Sequence, residues 1–307
     1  MIKKVAILGV GAVGSYVLYG LDSCDIELGV VAEESRNERL KKQGIRINGK
    51  VYHPNVWTSS EAKGVDLLIV CLKYNALDSA LDMIDHIVTD STIVMSLMNG
   101  IDSEDIIEKR IGKGHIVHSL IKVASHKEGD NFVFDPVSTV GIVFGEKNQK
   151  DFVCDIEQLF STSQLHYRST DYIVEEIWSK FRLNVCNNLP QAILGAGVGC
   201  YRDSEHMKAI QKGLKDELEV IAKAKGIDMT KADPSATIGS PVPKTARYST
   251  LQDLDAKRHT EIDMFSGAII KMGKELGIPT PYNEYTYHMI KALEEKNDGM
   301  FEYDKLN

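Results

Sequence analysis

The sequence lacks the features that mark several special classes of protein. No apolar run approaches the roughly 18 residues of a transmembrane helix, and the longest, VDLLIVCL at residues 65–72, has the length of a buried strand. The five cysteines are an odd number without a CxxC pair and lie mostly in apolar contexts, so we expect reduced core residues. Because no HExxH or other ligand spacing occurs, we expect no structural or catalytic metal.

An excess of basic residues is also missing. Lysine and arginine number 36 against 44 acidic residues, which gives a net charge of -8. Short basic blocks such as Lys41-Lys42 lie among acidic residues and are typical of a helix surface, so we expect neither a nucleic-acid nor a membrane partner. The start, MIKKVAILGVGAVGSY, looks like a signal peptide, but its spaced glycines favour a strand and a turn. We expect a cytoplasmic protein.

What is present is an alternation of strand and helix patterns through the first half of the chain. Apolar runs such as KKVAIL, IELGVVA and VDLLIVCL alternate with helical patterns, and Asn48-Gly49 predicts the two-residue turn of a hairpin. Strand-rich segments follow from about 115 to 145, then a helix at roughly 148–161. Repeated strand-helix-strand units predict an α/β domain with a parallel, doubly wound sheet in residues 1–169.

The second half of the chain loses the strand signal. Beyond about residue 170 long helical patterns dominate, and a chain of 307 residues is long enough for two cores. We therefore predict an all-α C-terminal domain at residues 170–307. Its predicted helices cover residues 171–195, 203–226, 259–276 and 282–296, with a further helix that contains YSTLQDL.

The first motif that carries chemistry is GVGAVG at residues 9–14. It follows a predicted strand directly and opens a predicted helix, which is the context of a dinucleotide-binding GxGxxG. Gly9 permits the tight turn, Gly11 lets a pyrophosphate approach the backbone, and Gly14 allows close packing of helix and sheet. Ala12 and Val13 complete the loop. A glycine-rich turn without a ligand is the alternative, but the surrounding pattern favours a Rossmann-type site.

The segment after the second strand, VVAEESRNER, decides which dinucleotide is preferred. Glu33 or Glu34 lies near the position where an acid accepts the 2′-hydroxyl of NAD. Arg36 and Arg39 suit the 2′-phosphate of NADP. Alternatively, the glutamates cap the next helix and the arginines are solvated. The residues by themselves leave NAD and NADP both open.

A stripe of polar residues marks the helix that contains IWSKFRLNVCNN. Lys180, Asn184 and Asn188 are spaced by four residues, so an α-helix brings them to one face. Burial lowers the pKa of a lysine, which suits it to protonate a ketone oxygen as hydride arrives, while an amide holds the substrate without added charge. The alternative is a lysine that extends to solvent beside asparagines that bridge helices. The upstream dinucleotide motif favours the functional interpretation.

A second group of polar residues occurs in YSTLQDLDAKRHTEIDMFSGAI. Asp253 with Arg258 suggests an ion pair, and Thr260 with Asp263 suggests a capping arrangement. Apolar neighbours indicate that the helix containing Glu261 is packed, and the periodicity leaves the direction of that side chain open.

Taken together, these segments resemble the ketopantoate reductase family. The likeness runs through GVGAVG, CLKYNALDSAL, MNGIDSEDII, IWSKFRLNVCNNL and STLQDLDAKRHTEID, in the family's order and over nearly the whole chain. It implies a Rossmann domain, a helical domain and reduction of 2-dehydropantoate to (R)-pantoate, on the path to pantothenate and coenzyme A. It also implies NADPH as the usual cofactor and a possible homodimer through the helical domain. Glu33 and Glu34 depart from the family pattern, so NAD stays possible.

The resemblance also implies roles for individual residues. Lys180 would be the general acid, with Glu261 orienting the lysine or the substrate. Asn184, Asn188 and Ser249 would contact the substrate. On the cofactor side, Arg36 would accompany the glycine loop, Lys73 would contact ribose or phosphate, and Asn99 would lie beside the nicotinamide.

Two other functions stay open at this point. One keeps the cofactor and the lysine but changes the substrate to another 2-oxo or 3-hydroxy acid. The other is a dinucleotide-binding sensor without chemistry. GAGVG at residues 195–199 lacks a polar substrate-site residue that some family members carry, which affects the choice of substrate more than the reaction type.

Overall fold

The structure is a computed structural model that describes residues 1–32, 34–146, 150–233, 242–301 and 303, without the side chains of 34–36 and 150. Two compact units make up the chain, Met1–Val174 and Glu175–Asn307. The domain boundary between residues 169 and 170 stays a prediction.

The first unit is built on an eight-stranded sheet and a smaller four-stranded one. The large sheet has the order β12-β11-β8-β7-β6-β1-β2-β5, and its pairs are parallel except for β8 with β11. The predicted doubly wound sheet is therefore confirmed. The strands are β1 (Lys4–Leu8), β2 (Glu27–Val31), β3 (Ile45–Ile47), β4 (Lys50–Tyr52), β5 (Asn55–Trp57), β6 (Leu67–Val70), β7 (Ile93–Ser96), β8 (Ile116–Lys122), β9 (Ser125–Glu128), β10 (Asn131–Phe134), β11 (Gly141–Gly145) and β12 (Tyr167–Ser169).

Helices connect these strands and cover the large sheet. Residues alternate between two cores along a strand: in β1, Val5 and Ile7 join one core, while Ala6 and Leu8 join the other. Burial on both faces explains why these strands read as continuous apolar runs. The helices of this unit are α1 (Ala12–Leu21), α2 (Glu34–Gln43), α3 (Leu77–Ile87), α4 (Ser103–Ile111) and α5 (Lys150–Ser161).

The small sheet contains the predicted hairpin. Strands β3 and β4 pair antiparallel around Asn48 and Gly49, whose φ angles of 48° and 82° are both in the left-handed region. Two such residues form the turn type whose twist matches a hairpin, so this prediction is confirmed. The sheet continues through β10 to β9, in the order β4-β3-β10-β9.

The second unit is helical, as predicted, but two of the predicted helices are not regular. Residues 171–195 were expected to form one α-helix, whereas a π-helical turn at Asn184–Asn188 separates two α-helices. The predicted helix 259–276 begins with a π-helical turn at Asp263–Gly267. The α-helices are α6 (Ile173–Leu183), α7 (Leu189–Leu194), α8 (Cys200–Asp203), α9 (Glu205–Ala224), α10 (Ser249–Asp255), α11 (Ala268–Leu276) and α12 (Pro281–Asn297).

The expected polar contacts of this unit are partly present. Arg258 Nε donates to Asp253 Oδ1 at 2.9 Å, which confirms the predicted pair. The predicted capping is present only in part: the Thr260 hydroxyl oxygen accepts from the Ile262 N–H at 3.2 Å, but Asp263 takes no part, because the Thr260 backbone N–H and hydroxyl both donate to the buried carboxylate of Glu294, at 2.6 and 2.7 Å. Asp263 instead accepts from Tyr287.

The cysteines match the expectation from the sequence only in part. All five cysteines are free, and Cys71 and Cys186 are buried, but Cys154 is exposed, so the expectation of core residues was wrong for it. In the described ranges no helix is long and apolar enough to cross a membrane. The same residues include no group of three or more His, Cys, Asp or Glu side chains placed to hold a metal ion.

Candidate active site

The glycine loop lies between the end of β1 and the start of α1. Gly9 has a φ of 92°, in the left-handed region, and its N–H donates to the Val31 carbonyl at 3.1 Å. A Cβ on Gly14 would overlap the Gly9 carbonyl oxygen, so α1 starts this close to the strand only because residue 14 is glycine. Ala12 and Val13 are the first residues of α1.

Gly11 faces open space at the same loop. No atom lies within 4 Å of the position that a Cβ on Gly11 would take. Gly11 is the N-cap of α1, with no side-chain cap and no acidic residue in the first turn of the helix. The helix N-terminus therefore presents backbone N–H groups and positive dipole to this space, which suits a phosphate group.

Two further predicted cofactor residues lie beside this loop on neighbouring strands of the sheet. Lys73 and Asn99 are each the third residue after the end of their strands, β6 and β7. Because β7, β6 and β1 are adjacent and parallel, their carboxyl ends meet at one edge. Lys73 is exposed and Asn99 is half-buried. This edge is where open α/β sheets bind ligands.

A buried polar network lies under the segment that follows β7. Glu104, 6% exposed, accepts a 2.8 Å hydrogen bond from the Ser103 hydroxyl, which also bonds to the Ser96 hydroxyl at 2.8 Å. The Ser119 hydroxyl donates to the Ser96 carbonyl at 2.6 Å. Burial raises the pKa of Glu104, and nearby His118 opposes this shift. The network anchors the start of α4 to strands β7 and β8.

Most of the side chains predicted to distinguish NAD from NADP lie outside the described part of the structure. Glu33 lies outside the described residues, as do the side chains of Glu34 and Arg36. Arg39, further along α2, is exposed.

The predicted stripe of the second unit lies at the junction of α6 and the first π turn. Lys180 is half-buried near the end of α6. Asn188 Nδ2 donates to Asn184 Oδ1 at 3.4 Å, so the two asparagines share one face. The amide nitrogen of Asn184 is buried, and no hydrogen-bond partner for it occurs among the residues described. A buried N–H₂ without a partner costs about 1–3 kcal/mol, which a bound ligand would offset.

Two features interrupt the α-helical hydrogen bonds at this π turn, one from the local sequence and one from a distant residue. Pro190 has no N–H and therefore cannot donate to the Cys186 carbonyl, as an α-helix would require. The Tyr201 hydroxyl accepts from the Gln191 N–H at 3.1 Å and donates to the Asn187 carbonyl, so it stands between two groups that an α-helix would join directly. π turns of this kind are frequent at functional sites.

Ser249 begins α10, which packs on the first π turn and on α7. The buried side chain of Gln191 holds the preceding segment: its Nε2 donates to the Ala246 carbonyl at 2.7 Å, and its Oε1 accepts from the Tyr248 N–H at 2.9 Å. A Cβ on Gly197 would overlap the Lys244 carbonyl, which gives a structural reason for the middle glycine of GAGVG.

Glu261 lies two residues before the second π turn, which packs on the first. Phe181 of α6 and Phe265 of the second π turn lie with ring centroids 6.2 Å apart. Glu261 is half-buried, and its backbone carbonyl accepts from Met264 and Phe265. The second unit thus brings the elements that carry Lys180, Asn184, Asn188, Ser249 and Glu261 against one another.

Several residues that shape the site were missed by the sequence analysis. Gln191 and Tyr201 lie in no polar motif. Tyr74 and Asp102 lie within CLKYNALDSAL and MNGIDSEDII, but neither segment shows that the two side chains meet. Only the proline after CNN gave a local signal that the helix is irregular.

A glycine loop at a helix N-terminus in a parallel sheet, followed by a helical unit with a lysine among amide side chains, is the layout of a nicotinamide-dependent oxidoreductase. A family model for "Ketopantoate reductase PanE/ApbA" matches residues 5–148, and one for its C-terminal part, "Ketopantoate reductase PanE/ApbA C terminal", matches residues 172–294. The chain belongs to the ketopantoate reductase family.

Individual relatives extend over the whole chain. A 2-dehydropantoate 2-reductase of Aquifex aeolicus is 28% identical over 304 residues, covering 96% of this chain and 98% of the relative. Among solved structures, a PanE/ApbA family ketopantoate reductase from Ralstonia eutropha JMP134 has a TM-score of 0.81 at 24% identity, covering 96% of this chain and 99% of the other. D-mandelate dehydrogenase, solved with NADH and anilino(oxo)acetate, also has a TM-score of 0.81, at 25% identity and the same coverage.

Proposed function

We propose that the protein reduces the ketone of a 2-oxo acid with NADPH, and that its substrate is 2-dehydropantoate, converted to (R)-pantoate for pantothenate and coenzyme A synthesis. The observation that carries the proposal is the buried amide nitrogen of Asn184, which has no partner among the described residues and lies four residues after Lys180 in the chain. A polar substrate oxygen would satisfy this donor. The name of the Aquifex aeolicus relative supports the choice of substrate.

The first unit supplies the cofactor site in this proposal. The open space at Gly11 and the uncapped N-terminus of α1 suit the pyrophosphate, with Gly9, Ala12, Val13 and Gly14 shaping the loop. Lys73 would contact ribose or phosphate, and Asn99 would orient the nicotinamide ring. When bound, the reduced cofactor supplies the hydride for the ketone carbon.

The second unit supplies the proton. Lys180 would hold its proton at Nζ and transfer it to the ketone oxygen, which becomes the alcohol. Glu261 would orient that ammonium group. Placing the proton donor in advance stabilises the negative charge that develops on the oxygen, and general acid catalysis of this kind contributes about 10²–10⁴-fold.

The amide and hydroxyl groups hold the substrate. Asn184 would donate from its buried Nδ2, and Asn188, 7% exposed, would extend the same face. Ser249 would donate its hydroxyl to the substrate carboxylate. These donors are uncharged, so they fix the orientation of the substrate without adding a charge beside the Lys180 ammonium group.

NADPH is proposed over NADH on the basis of Arg36, whose guanidinium suits a 2′-phosphate. NADH stays possible because of Glu33 and Glu34. Exchange of Glu33 and Glu34 for serine and arginine tests this choice: we expect the ratio of NADPH to NADH efficiency to rise, and an unchanged ratio would remove both glutamates from the cofactor site.

A second candidate keeps the chemistry and changes the acid. The likeness to D-mandelate dehydrogenase favours a 2-oxo acid with an aromatic group as the alternative substrate. Only the pocket around the acid's side chain would differ, since the carboxylate and ketone need the same donors.

The test is the oxidation of NADPH and of NADH by the purified protein with 2-dehydropantoate, phenylglyoxylate and other 2-oxo acids. Preference for 2-dehydropantoate supports the proposal, and preference for phenylglyoxylate supports the second candidate. If no acid is reduced, the enzyme proposal fails, and calorimetry with each cofactor then tests a non-catalytic sensor.

Lys180→Ala tests the proton donor in the same assay. We expect kcat to fall by about 10²–10⁴-fold with an unchanged affinity for NADPH. Lys215→Ala, which removes an exposed lysine paired with Glu219 at 3.5 Å on the surface, is the matched control and should keep wild-type kcat. Wild-type turnover by Lys180→Ala would show that the donor is assigned wrongly.

A further inference from the structure

We propose that Tyr201 is a positioning residue, whose buried hydroxyl holds the π turn at Asn184–Asn188 and thereby aligns the asparagines with Lys180. The inference rests on the proposed function only for its effect on substrate binding. Its structural part, that the hydroxyl maintains the π turn, stands on its own.

The contacts of Tyr201 are the first argument. Its hydroxyl accepts from the Gln191 N–H at 3.1 Å and donates to the Asn187 carbonyl. Residues 187 and 191 are four apart, so in an α-helix the Gln191 N–H would donate to this carbonyl directly. Tyr201 is 9% exposed, and burial raises the pKa of its phenol, so the hydroxyl keeps the proton that it donates. Removing the hydroxyl leaves the two backbone groups free to join.

The geometry of the stripe is the second argument. An α-helix turns about 100° per residue, so Lys180 and Asn188, eight residues apart, would diverge by about 80° on a regular helix. A π turn takes one more residue per turn and rotates about 80° per residue, which would turn Asn188 back toward the direction of Lys180. The 3.4 Å contact of Asn188 with Asn184 places these two amides on one face.

Gln191 extends the effect to Ser249. Gln191, whose N–H donates to Tyr201, also binds the backbone of Ala246 and Tyr248 through its side chain. These two residues come shortly before Ser249. A shift of Gln191 toward Asn187 would move these anchors as well. One hydroxyl therefore sets both the asparagine face and the start of α10.

Pro190 is the competing cause of the π turn. Its missing N–H explains why the Cys186 carbonyl lacks an α-helical donor. It does not explain the gap between Asn187 and Gln191, because Gln191 has its N–H and uses it toward Tyr201. The hydroxyl, not the proline, separates this pair.

The experiment compares Tyr201→Phe with wild type by crystallography, by hydrogen exchange and by kinetics with 2-dehydropantoate. Phenylalanine keeps the ring and its packing. We expect the Gln191 N–H to bond to the Asn187 carbonyl, the π turn to be lost, and KM for the 2-oxo acid to rise about tenfold. The Kd for NADPH should stay unchanged, since the first unit is untouched.

Two controls separate positioning from general stability. Tyr167→Phe removes another hydroxyl that donates to a helix carbonyl, that of Glu157 at 3.4 Å, and should leave KM unchanged. Pro190→Ala restores the missing N–H but keeps the Tyr201 hydroxyl, so the π turn should persist. Loss of the turn in Pro190→Ala overturns the proposal even if Tyr201→Phe does not fold.

The remaining outcomes are equally decisive. A π turn that persists in Tyr201→Phe overturns the structural part. A lost turn with wild-type KM overturns the positioning role. If the wild-type protein reduces no 2-oxo acid, the proposed function fails, while the structure and exchange of the Gln191 amide still decide whether the hydroxyl maintains the turn.

Discussion

The Tyr74 hydroxyl donates a 2.9 Å hydrogen bond to Asp102 Oδ2 and so joins the segments that follow two neighbouring strands. Tyr74 is next to Lys73 after β6, and Asp102, the N-cap of α4, is three residues beyond Asn99 after β7. This hydrogen bond therefore links the two loops that carry predicted cofactor contacts.

Tyr74→Phe should weaken cofactor binding more than it weakens the fold. Loss of one hydrogen bond to a carboxylate costs about 1.5–3 kcal/mol at most, and the loops become free to separate. We expect the Kd for NADPH, measured by calorimetry, to rise several-fold with kcat nearly unchanged. Tyr52→Phe, in the small sheet, is the control. Equal Kd values in both variants would show that the bond does not position the loops.

Alanine at two glycines of the loop should have opposite effects. Gly14→Ala places a methyl group against the Gly9 carbonyl. We therefore expect the free energy of unfolding, measured by thermal denaturation, to fall by about 1–3 kcal/mol. Gly11→Ala meets no protein atom within 4 Å and has a φ of -98°, so stability should be kept. Its methyl group occupies the proposed phosphate space, and we expect the Kd for NADPH to rise about tenfold or more. Unchanged Kd in Gly11→Ala would place the phosphates elsewhere.

Two asparagines of the same π turn offer a matched pair. Asn187 Oδ1 accepts from Gln211 Nε2 at 3.1 Å, whereas Asn184 Nδ2 is buried with no partner in the described part of the chain. Asn187→Ala should lower the unfolding free energy by about 1 kcal/mol and leave the KM for the 2-oxo acid unchanged. Asn184→Ala loses the long hydrogen bond from Asn188 but also removes a buried donor that has no partner in the described part of the chain, so stability should change little while KM rises. The reverse pattern would contradict a substrate role for Asn184.

Glu104 makes stability depend on pH. Burial raises its pKa, so its contribution to stability is complete below the unfolded pKa of about 4.3 and is lost as the pH rises through the folded value. Glu104→Gln does not titrate, so its Tm advantage over wild type should grow from pH 5 to pH 8. Asp105→Asn, at the exposed next position, is the control. A Tm difference that does not change with pH would contradict a raised pKa for the buried Glu104 carboxyl.

Sequence patterns predicted the first unit because its signals are local. Apolar strands alternate with amphipathic helices, and Asn48-Gly49 and the spaced glycines each impose a backbone conformation on their own position. The position of Lys73 and Asn99 at one sheet edge follows from parallel strand order. Their roles, and those of Lys180, Asn184, Asn188, Ser249 and Glu261, stay predictions.

The second unit contains features that a local sequence pattern does not predict. Spacing by four predicted that Lys180, Asn184 and Asn188 share a face, but an unbroken α-helix would have turned Asn188 away by about 80°. At the π turn, the hydroxyl of Tyr201, ten residues further along the chain, accepts a hydrogen bond from the Gln191 N–H. The Gln191 side chain in turn accepts a hydrogen bond from the Tyr248 N–H. The sequence by itself determined the order of the elements and the residue types of the candidate site. Only the tertiary structure decided how those side chains line up, because partners distant in sequence supply hydrogen bonds that periodicity does not contain.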